Sequence, residues 1–301
     1  MNEMQDIKYH KFMGLRIIYQ DINNQDSYRL DVPTIYLGGA FQSIQNVQNY
    51  AKTSAKYSRT IMIDLLGFGD SDILDSSYKM ELLADSIDHF IDTMGFEKVN
   101  IVGTSYGAVV SYILAGKSPE KMNKLILGGF MDRFKPETLV KWEDGLSSAK
   151  KGCRDEFAEK LTALLLNKDR SKDIRLQNYI STMMIRKLTS ATYAELDKFI
   201  FSIERLMNNT KSFPVPLCNT LMLTGEFDIF TTPAHHKQLH DRSPDSVFTL
   251  IKKADHMFHL EQLEVTTQLI ETFLSGRDIG EVDGHYLSKN SITQGSTAIP
   301  A

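Results

Sequence analysis

Ser105 lies in Gly103-Thr104-Ser105-Tyr106-Gly107, after the apolar run Val99-Asn100-Ile101-Val102 and before the helical pattern Ala108–Leu114. Gly-x-Ser-x-Gly between a strand and a helix is the nucleophile-elbow pattern. A serine on such a turn is strained and points its hydroxyl off the sheet, and the flanking glycines let strand and helix pass close together. The Tyr106 N–H opens the helix, so it has no intrahelical acceptor and suits an anionic oxygen. A serine hydroxyl is a weak nucleophile without a base, and the base needs a group that holds its tautomer.

For a serine on this turn the order along the chain should be serine, acid, histidine. Asp228 in Gly225-Glu226-Phe227-Asp228 follows the strand-like run Thr220–Leu223, and His256 in Ala254-Asp255-His256 follows Ser246–Ile251. Both would lie at the sheet edge where Ser105 emerges. Thr232 and Pro233 read as the N-cap and first position of a helix, which keeps the preceding Asp228 ionised. Glu226, close to Asp228 but off in phase, and Asp132, past the Leu125–Leu127 run, are alternative acids. His259 competes with His256, but it falls in the following helix and reads as structural. Asp255 reads as a solvated loop acid. His235, His236 and His240 have near i, i+4 spacing, which could hold a metal. No carboxylate or cysteine pattern joins them, so they read as a polar helix face. The second oxyanion donor should come from the Gly38–Ser43 loop, with the Ala40 N–H first and Phe41 in reserve.

Short apolar runs must carry these loops. Leu15–Tyr19, Thr34–Leu37 and Thr60–Ile63 read as strands, each stopped by turn residues. Leu83, Ile87, Phe90 and Ile91 give a helix between Met80 and Met94. Alternation of strands and helices implies a parallel sheet covered on both faces. From Met131 to Phe213 the rhythm becomes helical and rich in large apolar residues, including Trp142, Phe157, Leu161 and Phe199. That insertion reads as a lid over an apolar acyl pocket, or as a subdomain packed on itself. A last helix spans about Leu260 to Leu274. Beyond Gly276 the chain, through Ser291–Ser296 to Ala301, reads as a disordered polar tail.

The bulk numbers set limits on function. A net charge of −4 over 301 residues and the lack of a basic stripe argue against a general nucleic-acid binder. Two cysteines, Cys153 and Cys218, make no disulfide framework and fit a reducing compartment. Met1–Asp6 lacks signal-peptide order and no run is apolar enough to span a bilayer, so a soluble cytoplasmic protein is expected.

Over residues 8 to 275 the chain resembles the α/β-hydrolase superfamily. The resemblance rests on the Gly38-Gly39 loop, on Asp64-Leu65-Leu66-Gly67-Phe68-Gly69-Asp70-Ser71, on the Ser105 turn, and on the Asp228 and His256 pair. It implies an α/β fold: an eight-stranded, mostly parallel sheet flanked by helices, with a helical cap after the sixth strand. The core would be 1–130 and 214–275, the cap 131–213 and the tail 276–301. It also implies no metal and no dissociable cofactor. Gly38 stands where the family often has His before Gly, and Asp255 where it often has Gly before the histidine. Gly38–Phe41, Asp228–Thr232 and the polar C-terminal extension are also similar to hydroxyalkanoyloxy-alkanoate synthases, acyltransferases of this fold. The expected function is a serine hydrolase of a small carboxylic ester or acyl thioester, a lipid-like one included. Ser105, Asp228 and His256 would be its catalytic residues, with Ala40 and Tyr106 as the oxyanion hole. Acyl transfer to an alcohol, and a ligand receptor on a retained hydrolase scaffold, are the alternatives.

Overall fold

The computed structural model describes residues 7–23 and 30–288. The segments Met1–Asp6 and Ser291–Ser296, read above as lacking a signal and as part of a tail, lie outside the described residues. Among the described residues nine strands form one sheet: β1 (Ile7–Phe12), β2 (Leu15–Ile22), β3 (Thr34–Leu37), β4 (Thr60–Ile63), β5 (Val99–Thr104), β6 (Met122–Gly128), β7 (Asn219–Gly225), β8 (Ser246–Ile251) and β9 (His285–Ser288). Their spatial order is β1-β2-β4-β3-β5-β6-β7-β8-β9. The six strands from β4 to β8 run parallel, and β1, β2 and β9 are antiparallel to their neighbours.

The strand count corrects the expected eight. The ninth comes from the chain beyond Gly276, which was expected to be a tail. Ile279 is buried against the β8 side of the sheet, and β9 pairs with β8 from Phe248↔Ser288 to Ile251↔His285.

Alternation along the parallel strands feeds two separate cores. Ile35 and Leu37, Ile61 and Ile63, and Leu125 and Leu127 face α2 (Met80–Thr93) and α3 (Tyr106–Lys117). Tyr36, Met62, Ile126 and Leu221 face α1 (Ile44–Ala51) and α10 (Leu263–Leu274). Side chains on a strand point alternately to opposite faces, so a run that is apolar at every position is buried on both sides. The helix expected from Leu260 to Leu274 is interrupted at Gln262, leaving a short α9 (Phe258–Glu261) before α10.

Four helices lie between β6 and β7: α4 (Pro136–Lys150), α5 (Arg154–Leu165), α6 (Gln177–Ser190) and α7 (Tyr193–Met207). They share their own apolar cluster, built on Trp142, Phe157, Leu161, Phe199 and Ile200, into which Phe41 and Phe230 reach from the sheet loops. The insertion is tied to the rest by polar contacts. Lys198 donates to the carbonyls of Gly69 and Ser71. The fully buried Arg205 donates to the carbonyls of Leu74, Asp75 and Tyr78 and to the Tyr106 hydroxyl. No helix among the described residues is long and apolar enough to cross a membrane.

The turn from β5 into α3 needs glycine on both sides. A Cβ on Gly107 would come within 2.3 Å of the Leu37 carbonyl oxygen, and one on Gly103 within 2.4 Å of Ser111 Oγ and 2.6 Å of the Gly107 carbonyl oxygen. Backbone cannot step aside as a side chain can. Gly107→Ala should therefore destabilise the fold by about 3 kcal/mol or more. Urea unfolding measures this, and a loss well under 1 kcal/mol would mean that helix and strand are free to separate.

Candidate active site

Because β3, β5, β6, β7 and β8 are parallel, the loops that leave them emerge at one edge. Ser105 follows β5 and adopts φ +50° and ψ −113°, a conformation that L-residues rarely hold. Such a backbone costs on the order of 1–3 kcal/mol and persists only where packing imposes it, typically at functional sites. The Ser105 N–H is fixed to the Gly128 carbonyl at 2.7 Å.

Ser105 Oγ is 3.1 Å from His256 Nε2, and His256 Nδ1 is 3.0 Å from Asp228 Oδ2. Asp228 Oδ1 accepts the N–H groups of Phe230 and Thr231, each at 2.8 Å. Oδ2 also accepts the hydroxyls of Thr224 at 2.8 Å and Thr231 at 2.6 Å. Burial works against the charge of this carboxyl. The His256 ring and the two threonine hydroxyls outweigh burial and hold the pKa at about 2. A permanently ionised acceptor on Nδ1 orients the imidazole with Nε2 free to take a proton. Phe230 packs edge-on against His256, with ring centroids 4.9 Å apart. A Cβ on Gly129, at the end of β6, would lie 3.1 Å from His256 Cε1, so a side chain at that position would crowd the ring.

The loop after β3 lies against the serine: a Cβ on Gly39 would come within 3.1 Å of Ser105 Cβ. Gln42 holds that loop, its Oε1 accepting the Gly39 N–H at 2.7 Å. The Gln42 amide faces His259 Nε2 at 2.9 Å. Burial, then the neighbouring His256, push the His259 pKa down to about 3. The ring is neutral and accepts the amide proton on Nε2. His259 thus braces the loop, in keeping with its structural reading. Among the described residues the Ala40 N–H donates to no protein acceptor, and the Tyr106 N–H is the first of α3.

A cavity of about 240 Å³ opens onto Ser105, His256, Ala40 and Tyr106. Its far wall comes from the insertion, through Trp142, Leu161, Met184, Leu188, Phe199 and Ile203.

Other candidates are engaged elsewhere. Asp132 pairs with His235 at 3.2 Å and Arg242 at 3.0 Å. Glu226 accepts the Lys253 N–H. His236 and His240 are buried rather than on a polar face, which corrects that reading. His236 Nε2 accepts the Phe130 N–H, and His240 Nδ1 is 2.8 Å from Ser246 Oγ. Asp255 is also corrected: it is 0 % exposed rather than solvated. Its carboxylate accepts from Asn167 N–H at 3.0 Å, Gln177 Nε2 at 2.9 Å and Met257 N–H at 3.1 Å. Thr224, Thr231, Gln42 and Gly129 went unread as site residues. Of these, Thr231 had a local signal, since an Asp whose side chain caps the N–H groups two and three residues on makes an Asx-type turn.

The chain belongs to the alpha/beta hydrolase family, whose fold description matches residues 35–263. It is similar to epoxide hydrolase 4 of Mus musculus, 32% identical over 74 residues, or 24% of this chain and 21% of that protein. The matched stretch thus spans about a fifth of that relative. A longer likeness is to the 2-hydroxy-6-oxononadienedioate/2-hydroxy-6-oxononatrienedioate hydrolase of Paraburkholderia phymatum, 25% identical over 242 residues, or 76% of this chain and 80% of that one. Among solved structures, an alpha/beta hydrolase enzyme from a Medee basin deep-sea metagenome library superposes with TM-score 0.79 at 17% identity. It covers 90% of this chain and 98% of that one, a likeness of fold.

Glu261 sets a testable pH dependence. It is buried, Oε2 accepts the Asp255 N–H at 2.7 Å, and Oε1 has no partner. Burial, and then Asp255, push its pKa up to about 9. Between pH 5 and 9 the folded chain keeps a proton that the unfolded chain has lost, so stability falls as pH rises, by up to about 1.4 kcal/mol per unit from this group. Glu261→Gln removes that slope. Urea unfolding at pH 6 and pH 8 should find the variant gaining on the parent as pH rises; parallel slopes would assign the pH dependence to other groups.

Proposed function

We propose that this member of the alpha/beta hydrolase family is a serine hydrolase that cleaves a carboxylic ester or an acyl thioester through an acyl-enzyme on Ser105. The observation that carries this reading is the unbroken relay Ser105 Oγ, His256, Asp228, with separations of 3.1 and 3.0 Å. Nucleophile, base and orienting acid lie within proton-transfer distance without rearrangement.

His256 Nε2 takes the hydroxyl proton as Ser105 Oγ bonds to the acyl carbon. The carbonyl oxygen becomes an oxyanion, held by the Ala40 and Tyr106 N–H groups. Asp228 stays ionised and stabilises the imidazolium. The tetrahedral adduct collapses, His256 gives the proton to the leaving alcohol or thiol, and the acyl group stays on Ser105. Water, deprotonated by His256, attacks the acyl-enzyme. The second adduct expels Ser105 Oγ, which recovers its proton, and the acid leaves. Each oxyanion donor is worth about 3 kcal/mol of barrier. The helical insertion acts as a cap, and its apolar wall suits an apolar acyl chain. A serine at 105 speaks against chemistry that needs a carboxylate nucleophile there, epoxide opening included.

The same cavity favours a second reading, acyl transfer. Walls of Trp142, Leu161 and Phe199 exclude water from the acyl-enzyme, and an alcohol-bearing chain could take its place. Only the second half-reaction differs. Incubation with an acyl thioester and a hydroxy fatty acid separates the two: free acid alone supports hydrolysis, and a new ester product supports transfer.

Ser105→Ala should lower kcat/KM for a reactive ester by at least about 10⁴-fold with an unchanged unfolding midpoint, and should abolish fluorophosphonate labelling. Asp228→Asn should lose a comparable factor, about 10⁴-fold in kcat, through the wrong tautomer of His256. A Ser105→Ala variant with near-parental kcat would end the proposal.

A further inference from the structure

Two backbone positions carry the base and its acid, and each is preceded by a residue that the insertion grips. Asp255 precedes His256, and Phe227 precedes Asp228. Asn167, in the loop between α5 and α6, donates its backbone N–H to Asp255 Oδ2 at 3.0 Å and its side-chain amide to the Phe227 carbonyl at 3.0 Å. Gln177, the first residue of α6, donates its amide to the same Asp255 oxygen at 2.9 Å and to the Asn167 carbonyl at 2.6 Å. The Arg170 guanidinium stacks 4.9 Å from the centroid of the Phe227 ring. Asp255 and Gln177 are 0 % and 2 % exposed.

We propose that this clamp makes Asp255, Asn167 and Gln177 positioning residues, through which docking of the helical insertion sets the alignment of His256 with Ser105 and Asp228. The inference rests on the serine-hydrolase reading above. The insertion therefore does more than wall the cavity. Its seated position fixes the loops before both the base and the acid, so turnover requires docking. A buried carboxylate loses a great deal when a donor is removed, because no water replaces it. The loop then moves to recover a partner, and His256 moves with it. A displacement near 1 Å at a reacting group can lower turnover about 100-fold. None of the three residues lines the cavity, so binding is spared.

The test uses the full chain and a chromogenic ester. Gln177→Leu removes the amide donor to Asp255. Asn167→Ala removes only the bond to Phe227 and keeps the backbone donor, so it serves if Gln177→Leu fails to fold. Activity is expressed per active site titrated by burst. The expected result is a 10- to 100-fold lower kcat for Gln177→Leu, or about 3- to 10-fold for Asn167→Ala, with KM within about twofold. Fluorophosphonate labelling of Ser105 should slow by the same factor. Unchanged kcat per titrated site in the folded variant, or a change confined to KM, overturns the clamp while leaving the hydrolase reading intact. Persistent turnover in Ser105→Ala, run alongside, overturns both.

Discussion

A carboxylate removed from water must be paid in hydrogen bonds, and the candidate site is arranged around that demand. Asp228 is 3 % exposed and accepts from two backbone N–H groups, two threonine hydroxyls and one imidazole. Without those donors the group would take up a proton and lose its hold on Nδ1 of His256. The turn Asp228–Thr231 has one conformation because four of the five bonds arise within a few residues of the acid. The imidazole inherits its orientation from that turn, and Phe230, packed edge-on, closes one of the other directions in which it could swing.

What could be read from the chain alone was whatever is local. Thr34–Leu37, Thr60–Ile63 and Ser246–Ile251 have the same bounds in the sequence reading and in the fold. Each is a short apolar run with turn residues on both sides, so its edges are written in its own letters. β1 went unread because Ile-Lys-Tyr-His-Lys-Phe is largely exposed and carries no apolar face. β9 is a strand because β8 offers it an unpaired edge, which no pattern within His285–Ser288 announces. Ser105, Asp228 and His256 were legible as candidates because each shortly follows a recognisable strand. Asp255 was misread for the opposite reason: its burial is created by Asn167 and Gln177, far away in sequence.

The insertion keeps its oily contacts mostly to itself and meets the sheet through ammonium, guanidinium and amide groups. Lys198 and Arg205 hold the loop from Gly69 to Tyr78, while Asn167 and Gln177 hold the loops before Asp228 and His256. Interfaces between units that move tend to be polar in this way, since parting them exposes little apolar surface. Exceptions include Ala40, Phe41 and Phe230, which pack from the sheet loops against the cluster around Trp142 and Phe199, and Leu206 of α7, which packs against the core of the sheet.

The seam between β6 and β7 governs how the chain is born. Lys124 pairs with Asn219, so the central ladder cannot be completed until the whole helical excursion has left the ribosome. Until then β6 presents a bare, oily flank at the growing end of a half-built sheet. Closing so long a loop adds little to the equilibrium ledger, because the entropy of closure grows only with the logarithm of length, but it delays the moment of protection. A cluster in α4–α7 built mainly from its own side chains would, if it gathers before the seam shuts, shorten the effective span that β7 must search. The insertion that shelters the serine in the finished molecule would then also be the part that brings the two halves of the sheet within reach of each other.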